Sequence, residues 1–241
     1  MKQKIWSAAL AFFRKIREIL AAKKPDDTEA HYNLGHAYSS LGRYQDEVEA
    51  YKQAIRTKPD DVYAHFNLGV TYDKLGRYQE AVEAYKQAIR LDPDYAFVYN
   101  NLGNTYCHLG RYQDAIESYK QAIRINPDLA EAHNNLGVAY NKLGRHQDAI
   151  ESYSQAIRIK PHYAEAHNNL GVIYCELGRY QDAIEPYKQA IRIKPDYAEA
   201  HYNLGNTYLL NGDEDSAIEQ YEVLKTLDVE KANKLFNLIY K

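Results

Sequence analysis

The sequence is poor in the residues that carry chemistry. Only two cysteines occur in 241 residues, Cys107 and Cys175, too few for a disulfide framework. Lys and Arg number 30 against 33 Asp and Glu, a formal net charge of -3, so the clustered basic surface that a nucleic-acid partner needs is missing. No run approaches the roughly 20 apolar residues of a membrane-spanning helix. There is no glycine-rich phosphate loop, no nucleophile elbow and no pair of catalytic carboxylates. These absences predict a non-enzymatic chain with no catalytic residue, no metal site and no cofactor.

What is present is periodic. Pro25, Pro59, Pro93, Pro127, Pro161 and Pro195 are each 34 residues apart. All twelve glycines fall into two series of the same period, one from Gly35 to Gly205 and one from Gly42 to Gly212. Six units follow, at 28–61, 62–95, 96–129, 130–163, 164–197 and 198–231, flanked by 1–27 and 232–241. In the fourth, His133, Leu136, Gly137 and Tyr140 share one helical face, Leu143-Gly144-Arg145 reads as a turn, and Ala149, Ile150, Tyr153, Ala156 and Ile157 share a second face. That helix stops near Pro161. Asp128 with Glu131, and Asp196 with Glu199, read as capping boxes opening the next unit. Each unit is predicted to be a helical hairpin.

Leu136, Gly137, Tyr140, Ala149, Tyr153, Ala156 and Pro161 stand at the signature positions of the tetratricopeptide repeat, which the chain resembles from residue 28 to about 231. One departure recurs: position four of the repeat is His31, His65, Tyr99, His133, His167 and His201, where the family usually has Trp. The resemblance implies an all-α fold, a right-handed solenoid of six helical hairpins, here with an amino-terminal and a carboxy-terminal capping helix. The glycines and alanines then read as packing residues, and sixteen of the 24 tyrosines as core. A metal reading of the histidines fails, because stacked hairpins hold equivalent atoms roughly 8–10 Å apart and a zinc ligand must sit at about 2 Å. Cys107 and Cys175 lie two repeats apart and are not a disulfide pair.

In this family the first helices line the concave side of the solenoid. Position six there is always asparagine: Asn33, Asn67, Asn101, Asn135, Asn169 and Asn203. An amide offers two donors and two acceptor sites, enough to pair with an extended peptide backbone. A similar asparagine ladder holds peptide in the repeat arm of O-linked N-acetylglucosamine transferases. Uneroded internal duplication, with asparagines that bond only to adjacent helices, is the other reading, since Arg43, Arg77, Arg111, Arg145 and Arg179 repeat as well and read as merely solvated. Tyr32, Tyr63, Phe66, Phe97 and Tyr202 are the expected apolar anchors. Members that clamp the acidic tails of heat-shock chaperones carry lysine at positions two and five; position two here is Glu29, Tyr63, Phe97, Glu131, Glu165 and Glu199, which argues against that mode.

Two places break the pattern. Pro186 stands inside a second helix and is expected to kink or locally loosen it. Residues 1–27 hold Ile5, Ala9, Phe12, Phe13, Ile16 and Leu20 at helical spacing with seven basic residues among them. Three readings stay open for this segment: a cap on the first hairpin, a basic amphipathic helix on a membrane surface, or an incomplete signal sequence. The expected function is a protein-interaction scaffold, cytoplasmic or membrane-associated, that binds an extended peptide or a partner helix in its groove. The alternatives are a self-assembling homo-oligomeric coat subunit and an adaptor attached to a membrane by residues 1–24.

Overall fold

The computed structural model describes residues 28–240, so the three readings of residues 1–27 lie outside the described residues. Thirteen helices, and no strand among the described residues, make an all-α chain. First and second helices alternate: α1 (Thr28–Ser40), α2 (Tyr44–Thr57), α3 (Val62–Lys74), α4 (Tyr78–Leu91), α5 (Ala96–His108), α6 (Tyr112–Ile125), α7 (Ala130–Lys142), α8 (His146–Ile159), α9 (Ala164–Glu176), α10 (Tyr180–Ile193), α11 (Ala198–Leu210) and α12 (Glu214–Leu227). A last helix, α13 (Val229–Ile239), follows. Two compact units part after Leu109. The first holds hairpins α1/α2 and α3/α4 with α5; the second holds α6, hairpins α7/α8, α9/α10 and α11/α12, and α13. Within each unit every second helix packs on the first helix that follows it, which is the stacking of a solenoid.

In four of the hairpins the glycine of the first helix is a notch for a tyrosine of the second. A Cβ at Gly35, Gly69 or Gly137 would lie 2.6 Å from the ring of Tyr51, Tyr85 or Tyr153, and at Gly171 2.7 Å from Tyr187. Those rings are at most 2% exposed. Burying each gains roughly 2 kcal/mol or more, which outweighs the roughly 1 kcal/mol of helix propensity that glycine forgoes. The glycine of the turn has another cause: at Gly144 φ is +71°, a left-handed conformation that ends the first helix.

Three expectations need correction. The paired acids do not form capping boxes, because α7 and α11 begin at Ala130 and Ala198, so the residues before them, Leu129 and Tyr197, occupy the cap position without side-chain bonds. Only where aspartate holds that place does it cap: Asp61 accepts from the N–H groups of Tyr63 and Ala64 at 3.0 and 3.1 Å. Pro186 lies inside α10, which has the same 14-residue length as its siblings although the Asp182 carbonyl loses its usual donor. The repeated arginines are not merely solvated. Arg145 donates from Nε to Asp148 at 2.7 Å and stacks 4.4 Å above the Tyr140 ring; Arg43, Arg77 and Arg179 repeat both contacts with Asp46 and Tyr38, Glu80 and Tyr72, and Asp182 and Tyr174. Each clamps the turn to both helices. Finally, the carboxy-terminal helix starts at Val229 rather than 232, because Asp228 accepts from the Lys231 N–H at 3.0 Å and nucleates it earlier.

Candidate functional site on the first helices

The position-four histidines have structural duties. Nε2 of His65, His133, His167 and His201 lies 3.0 Å from the carbonyl of Pro59, Pro127, Pro161 and Pro195, and must donate to it. This bond ties the start of a first helix to the loop before it. No group of metal-competent side chains occurs among the described residues. The smaller ring, where a Trp is usual, borders a groove of about 570 Å³ beside His65 and one of about 480 Å³ beside His133, on the second-helix side of each unit.

The asparagines connect successive hairpins. Asn169 Nδ2 donates to Asn134 Oδ1 at 3.0 Å, and Asn203 Nδ2 donates to Asn168 Oδ1 at 3.1 Å. In the first unit Asn67 donates to the Tyr32 hydroxyl at 2.9 Å. Position six of one hairpin therefore bonds position five of the hairpin before it, whose Asn134 and Asn168 are 6% and 4% exposed. Each such contact uses one of the amide's two donors. The position-six residues remain half-buried, apart from Asn33, which is exposed.

The predicted aromatic anchors come together in the first unit around a residue the sequence reading passed over. Tyr95, just before α5, lies 5.8 Å from Tyr63, 5.4 Å from Phe66 and 6.3 Å from Phe97, ring centre to ring centre. Tyr63 and Phe97, at the starts of α3 and α5, are 59% and 49% exposed. Tyr32 packs edge-on against Tyr51 at 5.8 Å, and beside it Glu29, Lys58, Asp61 and Tyr63 line a recess of about 310 Å³.

The second unit differs. Its residues equivalent to Tyr95 are Leu129, Tyr163 and Tyr197. The Tyr163 hydroxyl is pushed up to about 12 by burial and by the carboxylates of Glu131 and Glu165; burial, Glu165 and Glu199 also raise Tyr197. Lys160 and Lys194 sit 4.6 and 4.9 Å from the centres of these rings. Tyr202 is occupied elsewhere, packed against Leu224, Ala232 and Leu235 at the last helix. The signal that marks Tyr95, Tyr163 and Tyr197 is their 34-residue period, at the last position of each repeat.

Models of the tetratricopeptide repeat match residues 14–61, 32–96, 84–117 and 198–228, and a TPR repeat model matches 103–144, 139–178 and 171–212. The chain belongs to the tetratricopeptide repeat family. It shares 30% identity with the crystal structure of the MamA protein, over 71% of this chain and 94% of that one, with a TM-score of 0.63. The PilF structure of Pseudomonas aeruginosa covers 89% of this chain and 99% of its own at 20% identity and TM-score 0.75. YrrB, described as a TPR protein with an unusual peptide-binding site, covers 77% and 95% at 22% identity and TM-score 0.61. No curated protein matches the sequence. Tetratricopeptide proteins are interaction scaffolds, and this chain is one of that class. Among the described residues, no helix of this tetratricopeptide chain is long and apolar enough to cross a membrane.

Proposed function

We propose that the first-helix face binds a protein partner through an extended segment or a helix, with the aromatic cluster around Tyr95 as its apolar anchor site. The observation that carries this reading is the pairing of rigidity with exposure at Tyr63 and Phe97. Both rings are fixed edge-on against Tyr95 yet leave about half their surface to solvent. Such side chains lose little conformational freedom on binding and offer a large apolar area, the usual profile of a binding hot spot. The asparagines have a double part in this reading: one donor of Asn67, Asn169 and Asn203 holds the hairpins in register, and their second donor faces the partner's backbone. Glu131, Glu165 and Glu199 beside Tyr163 and Tyr197 favour basic side chains in whatever segment crosses the second unit.

Selection of peptides from a random displayed library, followed by titration of the selected peptides, tests this. The expected ligands carry a bulky apolar residue, and Tyr63→Ser with Phe97→Ser lowers their affinity by about thirtyfold, equivalent to about 2 kcal/mol. Unchanged affinity in a folded double variant would refute the anchor role.

A further inference from the structure

We propose that α13 of one copy pairs with residues 1–24 of a second copy, completing a hairpin between chains and joining copies head to tail. The inference uses the ends of the array and is independent of the first-helix face. It starts from the place of α13. This helix follows a second helix and packs on α12, as the first helix of a further hairpin would, and it leans further onto α11 than inner first helices lean on one another. Ala232 and Leu235, 1% and 0% exposed, fix that side of it. Leu235 enters the notch of Gly205, where a Cβ would come 2.6 Å from its Cδ2. At Gly35, Gly69, Gly137 and Gly171 a second-helix tyrosine fills that notch; here Tyr221 turns instead to Phe236, with ring centres 5.5 Å apart.

The result is a second, uncovered apolar face. Val229, Phe236 and Tyr240, spaced i, i+7 and i+11, fall on one stripe and are 64%, 41% and 58% exposed. Phe236 and Tyr240 touch, ring centres 4.6 Å apart. Inner first helices cover their corresponding side with the second helix of the same hairpin, whereas α13 has none against this stripe among the described residues. It has the form of half a hairpin.

The other half is in the sequence. Lys24-Pro25-Asp26-Asp27 is in phase with Lys58-Pro59-Asp60-Asp61, which ends a second helix, so the preceding residues carry second-helix register. Their apolar residues recur at helical spacing, and residues 1–24 bring seven basic side chains against the single acid Glu18. The receiving end is the reverse. Residues 213–241 carry seven acids against four lysines, and three of those lysines, Lys225, Lys231 and Lys234, are each already paired with an acid, Glu222, Asp228 and Glu230. Apolar stripe meets apolar stripe and basic end meets acidic end, which commits the occupant to a second copy. The first hairpin also offers the segment a seat. Glu47, where the other five repeats have alanine, is 2% exposed, and its Oε2 has no hydrogen-bond partner among the described residues, so a cation is wanted beside it. An interface between unlike ends repeats into rings or filaments.

Sedimentation velocity of the full chain, from micromolar to hundreds of micromolar, is the test. The wild type is expected to gain mass with concentration and lose it with added salt. Phe236→Glu with Tyr240→Glu blocks one end, and Phe12→Glu with Ile16→Glu blocks the other. Each variant, with its helical circular dichroism intact, is expected to weaken association at least a hundredfold. Mixed in equal amounts, the two are expected to form a species of two chains and nothing larger, because one working end of each type remains. If the amino-terminal variant loses helicity, Lys15→Glu with Arg17→Glu replaces it with the same expectation. A wild type that stays monomeric, blocked ends that associate as wild type does, or a mixture that fails to pair overturns the proposal. So does a monomeric wild type that sediments with vesicles of equal phosphatidylcholine and phosphatidylglycerol, since the occupant is then a membrane.

Discussion

Gly137→Ala puts opposing effects on one atom. Alanine in mid-helix gains about 1 kcal/mol of propensity over glycine. The added methyl, however, would meet Tyr153 at 2.6, 2.8 and 3.0 Å from three ring carbons, about 1 Å short of ordinary contact. The ring is 2% exposed and has nowhere to retreat, so overpacking costs about 3 kcal/mol, the upper part of its usual range. A net loss of about 2 kcal/mol is expected in urea unfolding followed by circular dichroism. Gly144→Ala is the control for a different cause: nothing lies within 4 Å of its Cβ, and φ of +71° alone costs about 1–2 kcal/mol. The two causes separate in a double variant. Tyr153→Leu shortens the obstructing side chain, so Gly137→Ala is expected to cost at least about 1 kcal/mol less in that background, whereas Gly144→Ala costs the same in both. A Gly137→Ala protein as stable as wild type, or a cost unchanged by Tyr153→Leu, refutes the notch.

Three further outcomes follow from the described contacts. Asn169→Ala removes the donor to Asn134 Oδ1, which is buried, and is expected to lower stability by about 1 kcal/mol by urea unfolding after allowing for alanine's better helix propensity; no loss means the ladder does not join hairpins. Asp73 accepts from the Tyr85 hydroxyl at 2.8 Å and from Thr105 Oγ1 at 2.9 Å, yet burial holds its carboxyl above the ordinary value of 3.8. Such a group binds its proton more tightly folded than unfolded, so its stabilising contribution is full below the unfolded value and fades as pH rises through the folded one; the advantage of wild type over Asp73→Asn is expected to be larger at pH 4 than at pH 7, and a trend of the opposite sign contradicts the burial. Arg145→Ala removes both the Asp148 pair and the stack on Tyr140 and is expected to cost about 1 kcal/mol in thermal unfolding, more than a solvated arginine.

The hairpins were legible because their cause is short in range. Gly137, Gly144 and Pro161 each act within a few residues, and a 34-residue period repeats the message. The partner of Gly137 was less legible: the sequence reading took the small residues as room for the helices themselves, and the structure fills the space with Tyr153. His133 bonds the Pro127 carbonyl six residues earlier, a spacing visible in the sequence only once the loop geometry is known. The asparagine bonds join residues 35 apart, so the ladder's links between hairpins depend on how repeats stack and leave no local signature. Arg145 was taken as solvated for the same reason, since its stack on Tyr140 forms only when the turn closes. Tyr95 was missed because the last position of the repeat is outside the family's signature positions, although three repeats place tyrosine there.

The most direct measurement on the central reading is hydrogen exchange with and without a selected peptide bound. Partner binding on the first helices predicts slowed exchange concentrated in the opening turns of α3 and α5, around Tyr63 and Phe97, with α2 and α4 little changed. Protection confined to α2 and α4, with the starts of α3 and α5 unaffected, would contradict it.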